Sequence, residues 1–303
     1  MTDVDDPGPV IDAHQHFWDL DQNPYPWLQD PVQIPFRYGD YSSLRRNYLP
    51  ADFERDLAPF QVVKSVHIEA EWGRGDPVAE TRWLEKLAVR EGRPTACVAH
   101  AVLEDDAVAE ILHAQAAHRL VRGIRQKPAA APSPAEAVRG RRGSMDDPLW
   151  RRGYALLARH GLSFDLQTPW WHLEAAAELA ADFPETQIII NHTGLPADRS
   201  PEGIAGWRRA LDRIATAPNL ALKISGLGQR DRPWTLEDNG PVIRDAITIF
   251  GADRCMFASN YPVDSLVASY GTILRGFLAA TADLPFEATR KLLHDNAQRI
   301  YRL

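Results

Sequence analysis

His14 and His16 lie one residue apart at the end of a short apolar run, Val10-Ile11-Asp12-Ala13, close to the start of the chain. Side chains alternate faces along a strand, so the two imidazoles are expected on one face, with Asp12 behind them. Such a pair at a strand's C-terminal end suits metal binding or polarisation of a carbonyl oxygen. His192 offers a third imidazole: it follows a run of three isoleucines and meets Thr193-Gly194 at a turn. Glu69 lies in Val66-His67-Ile68-Glu69-Ala70-Glu71. Regular alternation places it inward with His67 and Glu71, while Ile68 and Ala70 face a helix layer.

These residues need a scaffold that brings distant strand ends together. Short apolar, β-branched runs recur at 62–70, 95–103, 120–126, 162–168, 187–192, 219–227 and 254–260, after the first at Val10. Longer amphipathic segments separate them, one opened by Asp76-Pro77 as N-cap and first helical residue. Eight strands alternating with helices, most of them buried on both faces, predict an α/β fold: a (β/α)8 TIM barrel. A doubly wound sheet is the alternative, but no glycine-rich phosphate turn follows an early strand. Residues 1–303 are expected to form one barrel domain. The stretch 19–56, rich in aromatic residues and proline, reads as a long lid or pocket wall after strand one.

Active sites of such barrels form at the C-terminal strand ends. Strand four brings Arg125 or Gln126 there, strand five Asp165 or Gln167, strand seven Lys223 and Ser225, and strand eight Asn260, with Asp264 beyond. A polar residue at nearly every strand end implies a site, because buried polar groups without partners cost stability. Bland alternatives stand beside several of them. Asp165 could tie the barrel through Lys223 or Arg125, and His67 and His100 read as core histidines. Trp72 and Tyr261 each follow a strand end and read either as packing or as a substrate-contacting rim. His113, His118, His160, His172 and His294 fall in helical segments.

Composition narrows the classes. The 303 residues are 45% hydrophobic and 25% charged, with a net charge of −7, so no basic field favours nucleic acid or an anionic membrane. Arg139 to Arg142 read as a solvated loop. The two cysteines, Cys97 and Cys255, sit in apolar runs and suit reduced core residues, not a disulfide framework. The acidic N-terminus lacks an apolar leader, and no apolar stretch approaches the roughly 20 residues that span a bilayer. A cytoplasmic location and a small-molecule partner are expected. Neither nucleic acid nor membrane is an expected partner, and self-association into a homo-oligomer is left open.

The ordered series IDAHQHFWDL with YPWL, then GIR, NHTG, KISGL and FASNYPVD resembles the amidohydrolase superfamily. It is most similar to the branch of fuconolactonase-like sugar lactonases and 2-pyrone-4,6-dicarboxylate lactonases, and the likeness spans essentially the whole chain. The resemblance implies hydrolysis of a small cyclic ester, with His14, His16 and His192 polarising its carbonyl and a strand-eight aspartate activating water. At that last position this chain has Asn260, and an amide has no protonation change near neutral pH.

The expected enzyme is therefore a lactonase-like hydrolase with His14, His16, His192, Glu69 and Asn260 as catalytic residues. Glu69 is expected as the base, before Asp264 or Asp165. Arg125, Gln167, Asp165, Trp72 and Tyr261 are expected to bind substrate. Either no cofactor is required or one divalent metal, zinc by preference, is held weakly by His14 and His16. A metal-dependent superfamily site takes a strand-five histidine and a strand-eight aspartate, and both are replaced here. The alternatives are a decarboxylase-like lyase on the same fold and an inactive small-molecule binder.

Overall fold

The computed structural model describes residues 7–303, so the acidic N-terminal segment read above lies outside the described residues. Eight parallel strands pair in sequence order: β1 Val10–Gln15, β2 Val62–Ile68, β3 Ala96–His100, β4 Val121–Gln126, β5 Ser163–Leu166, β6 Ile188–Ile190, β7 Leu220–Ile224 and β8 Cys255–Phe257. The ring closes just above β8. Gln15 pairs in parallel with Tyr261. The amide of His16 donates to the Tyr261 carbonyl at 2.7 Å, and that of Asn260 to the His14 carbonyl at 2.8 Å. The expected barrel is what the chain forms.

Two apolar clusters hold it. One fills the barrel interior: Ile11, Ala13, Val66, Ile68, Val98 and Ile189 meet Ala221 and Met256, and the C-terminal Ala297, Ile300 and Tyr301 join them. The other packs the strands' outer faces against the helices around wholly buried residues such as Trp150, Phe164 and Trp207. Truncating one such buried aromatic to alanine costs about 3–5 kcal/mol.

Two facing expectations are corrected. In β2, Ile68 faces the interior, while His67 turns toward the helix Ala79–Glu91, its Nε2 3.3 Å from Glu80. The register of β1 shifts between Asp12 and Gln15, so Asp12 does not sit behind the histidines. Its carboxylate instead accepts from the amides of His14 at 3.1 Å and Ser259 at 3.0 Å, fastening the barrel seam. Asp76-Pro77 form a turn in which Asp76 accepts from the Val78 amide, and the helix begins at Ala79.

The stretch 19–56 is a structured wall over the barrel mouth. It contains the short helix Pro26–Gln29 and leads into the helix Pro50–Leu57, and a two-way backbone pairing of Trp18 with Tyr48 closes its neck. Trp27 stacks on Phe36 with centroids 5.9 Å apart and donates its indole N–H to the Ala70 carbonyl at 3.0 Å.

Candidate active site

The strand ends and this wall enclose a cavity of about 720 Å³. His16, His192 and Asn260 line its floor, Arg125 and Gln167 one side, and Trp27, Phe36 and Trp72 an aromatic side. His14 lies directly beneath, wholly buried, its ring centroid 5.0 Å from that of His16 and 4.6 Å from that of His192. The three imidazoles thus converge, although β1 and β6 are far apart in the sheet order.

Backbone geometry aims the floor residues. His192, Thr193, Gly194 and Leu195 all have positive φ, as does Asn260 at 57°. Outside glycine such conformations cost on the order of 1–3 kcal/mol each and persist where surrounding structure enforces them. Here the strain turns His192 and Asn260 sharply off their strands into the cavity.

Hydrogen bonds then set each group's orientation. His16 Nδ1 lies 2.7 Å from the Ile68 carbonyl oxygen, which can only accept, so Nδ1 carries the proton and Nε2 is a lone pair. That lone pair lies 3.4 Å from Asn260 Oδ1. Asn260 Nδ2 donates to Asp264 Oδ1 at 2.6 Å, and Tyr38 donates its hydroxyl to the same oxygen at 2.9 Å. His192 Nδ1 pairs with the Ser225 hydroxyl at 3.0 Å. Burial holds all three imidazoles well below the usual histidine range, and cations add to it: Lys223 beside His14, Arg125 beside His16 and Arg37 beside His192. All three rings are neutral at physiological pH.

The carboxylates divide differently from the sequence reading. Glu69 lies behind the cavity wall, accepting from Arg125 Nε at 2.8 Å, from Arg74 at 3.4 Å and from the Glu71 amide at 3.1 Å. Burial opposes its charge, but Arg125, His100, Arg74 and Lys127 outweigh it and hold the carboxyl well below the carboxylate range. Asp264, one layer behind Asn260, is pushed up to about 6 by burial, against the pull of Arg37, Asn260 and Tyr38. Asp165 lies below the floor, bonded to Lys223 at 2.5 Å, Asn191 at 2.9 Å and Tyr301 at 2.9 Å. This is the barrel tie weighed as its alternative. Tyr261 is buried away from the cavity, donating to the Ala268 carbonyl at 3.0 Å and packing on Tyr270.

The cavity also holds residues that sequence reading did not single out. Arg37, Arg74 and Lys127 line it. Lys127 pairs with Glu71 at 2.5 Å, and Arg74 also bonds Glu71. Arg37 projects from the wall to 3.8 Å from Asp264. No local pattern marks an arginine in a long irregular segment as inward-facing, so only the path of the wall reveals it.

Among the described residues, no group of three or more His, Cys, Asp or Glu is placed to hold a metal ion. His16 has the arrangement of a metal-ligating histidine, with its other nitrogen donating to a carbonyl. His14 does not: its Nδ1 faces the Lys223 ammonium at 3.4 Å. Of the other floor groups, His192 pairs its Nδ1 with the Ser225 hydroxyl, and Asn260 offers an amide oxygen in place of a carboxylate, a weak ligand for zinc.

The eight-stranded parallel barrel with its polar strand ends is the architecture that the sequence resemblance implies. The chain belongs to the amidohydrolase family, whose pattern it matches over residues 11–303. It is 41% identical over 294 residues to "Uncharacterized protein y4mH" of Sinorhizobium fredii, spanning 97% of this chain and 98% of that one. It is 30% identical over 263 residues to an L-fucono-1,5-lactonase of Burkholderia ambifaria, spanning 86% of this chain and 83% of the lactonase. Among solved structures, an amidohydrolase from Burkholderia multivorans with bound zinc superposes with a TM-score of 0.78 at 27% identity, covering 98% of this chain and 100% of that one. No helix among the described residues is long and apolar enough to cross a membrane.

Proposed function

We propose that this protein, as a single barrel over residues 1–303, hydrolyses a small polar lactone of the sugar-lactone or pyrone-carboxylate type. The observation that carries the reading is the convergence of His14, His16 and His192 with Asn260 at the cavity floor. Likeness over most of the chain to an L-fucono-1,5-lactonase supports the substrate class. A reduced, cytoplasmic setting suits the two buried free cysteines.

Two acceptors 3.4 Å apart, His16 Nε2 and Asn260 Oδ1, can each take one hydrogen of a single water and turn its lone pair toward a bound carbonyl carbon. As the water oxygen bonds to that carbon, His16 Nε2 takes its proton. The carbonyl electrons move onto oxygen, stabilised by His192 with Ser225 donating to its other nitrogen, and by His14 below. Each such donor is worth about 3–4 kcal/mol where water is excluded. Collapse breaks the ring C–O bond, and the departing ring oxygen takes the proton back from His16, giving a hydroxy acid. The general-base role thereby moves from Glu69, whose oxygens are occupied by Arg125 and Arg74, to His16. Arg125 and Gln167, joined at 3.3 Å, orient the ring substituents, and the aromatic side covers its face.

The residues at the floor do not fit a tightly held metal ion, and this mechanism routes no step through one. A pH-indicator screen of sugar lactones and pyrone carboxylates tests the reading: acid release abolished in His16→Asn and His192→Asn supports it. Carbon dioxide release would assign a lyase. Thermal stabilisation by these compounds without turnover would assign a binder.

A further inference from the structure

Lys223 is wholly buried on β7, and the mechanism above leaves it unused. Among the described residues its Nζ has two hydrogen-bonding neighbours, Asp165 Oδ1 at 2.5 Å and His14 Nδ1 at 3.4 Å, with the Tyr301 ring centroid 5.1 Å away. Asp165 is held in place by Asn191 and by the Tyr301 hydroxyl, which contacts both its oxygens. Its ion pair with the equally buried Asp165 carboxylate keeps Lys223 an ammonium.

An ammonium has protons to give and no lone pair to offer. A neutral imidazole carries one N–H, so the nitrogen of His14 that faces Lys223 must be the acceptor and the proton must sit on Nε2. That Nε2 is buried and has no hydrogen-bond partner among the described residues. His16 is arranged the other way, its proton on Nδ1 toward the Ile68 carbonyl and its lone pair on Nε2. We propose that Lys223 is a positioning residue that locks His14 as the Nε2–H tautomer, so that the His14–His16 pair offers one donor and one acceptor in place of two lone pairs. The donor polarises a substrate oxygen seated between the His16 and His192 rings, and the acceptor takes the proton of water. A cation directly beneath strengthens His14 as a donor as negative charge develops above it. The substrate's part in this rests on the lactonase reading, whereas the tautomers do not.

The test is therefore made first without substrate. In enzyme labelled with ¹⁵N-histidine at pH 7, long-range ¹H–¹⁵N correlations distinguish protonated from unprotonated ring nitrogens, with His14→Asn and His16→Asn giving the assignments. His14 is expected protonated at Nε2 and His16 at Nδ1. A His14 protonated at Nδ1 overturns the proposal, whatever the substrate proves to be. In Lys223→Met the His14 signature is expected to shift toward a mixture of tautomers. Lys223→Gln, whose amide can donate to Nδ1, is expected to restore it. On the substrate found by the lactone screen, kcat should fall about tenfold or more in Lys223→Met, the scale of one lost charge-assisted hydrogen bond, with KM within about threefold. Lys223→Gln should recover part of that loss. An unchanged tautomer in a folded Lys223→Met would also overturn the proposal. The spectrum of the unsubstituted enzyme decides the tautomer even where that variant fails to fold.

Discussion

Asn260 directs its amide nitrogen at Asp264, 2.6 Å away, and its carbonyl oxygen at His16 Nε2, 3.4 Å away. The carboxylate can only accept, so it fixes which way round the amide sits, and Tyr38 fixes the carboxylate in turn. An amide so held can hydrogen-bond a water but cannot deprotonate it. Asn260→Leu, which keeps the volume and removes both contacts, is expected to lower kcat by about 10²–10³-fold, the scale of one lost transition-state hydrogen bond. Stability should fall by about 1–3 kcal/mol, because Asp264 loses a buried donor. Steady-state kinetics and denaturant titration check the two effects separately.

Activity should fall in acid through Asp264. Its folded-state value, pushed up to about 6, lies above the ordinary carboxyl range. As pH drops through 6 the folded protein takes up this proton more readily than the unfolded chain, so this group relatively favours the fold in acid. Loss of kcat/KM below about pH 6 should thus precede acid unfolding, as protonation releases the hold on Asn260. A pH–rate profile run beside circular dichroism tests this, and Asp264→Asn should flatten the limb. Asn260→Asp should move the limb upward, since a carboxylate that close to His16 Nε2 favours the imidazolium.

Glu69, just after β2, and Arg125, on β4, form an ion pair at the barrel mouth. Glu69→Gln is expected to raise KM by loosening Arg125, with kcat within about tenfold, well short of the 10²–10⁴ that loss of a general base costs. Glu69→Ala, which strands a buried guanidinium, should cost about 3–5 kcal/mol of stability. A kcat loss of base magnitude at unchanged KM in Glu69→Gln would return the base role to this residue.

Chelation should leave most activity in place. The ammonium against His14 Nδ1 and the amide at position 260 leave the floor, among the described residues, without a group of three side chains placed to hold a metal. Dialysis against a chelator is expected to hold kcat/KM within about twofold, far less than loss of a metal that supplies several kcal/mol of charge stabilisation. One tightly held zinc per chain, with activity lost on chelation and regained with zinc, would refute this.

The eight strands were legible because each is a short β-branched run between amphipathic segments. Some apolar runs extend past the last ladder pair: the sixth continues to His192, whereas β6 ends at Ile190, and the eighth to Asn260, whereas β8 ends at Phe257. Of those residues beyond the ladder, His192 and Asn260 line the cavity floor, since polar side chains gather where strand pairing stops. The facing of β2 was not legible. Alternation put Ile68 outside, but inward and outward positions of a barrel strand buried on both sides can both be apolar, so the pattern carries no sign. The pairing of Glu69 with Arg125 joins residues 56 apart on neighbouring parts of the mouth, which spacing along the chain cannot reveal.

Arg37 shows what the wall adds to the barrel. Its guanidinium lies 4.5 Å over the Tyr38 ring and 3.8 Å from Asp264, and it lines the cavity. Replacing it with methionine keeps most of the side-chain length and removes the cation. Since the guanidinium pulls Asp264 down, its loss should move the acid limb of kcat/KM to higher pH. If Arg37 also anchors a polar substituent of the lactone, KM should rise about tenfold or more with kcat at pH 8 within about threefold, the pattern of lost uniform binding. Both shifts are read from one set of pH-dependent Michaelis curves. A limb that stays in place would show that Arg37 does not govern Asp264, and an unchanged KM would remove it from substrate binding.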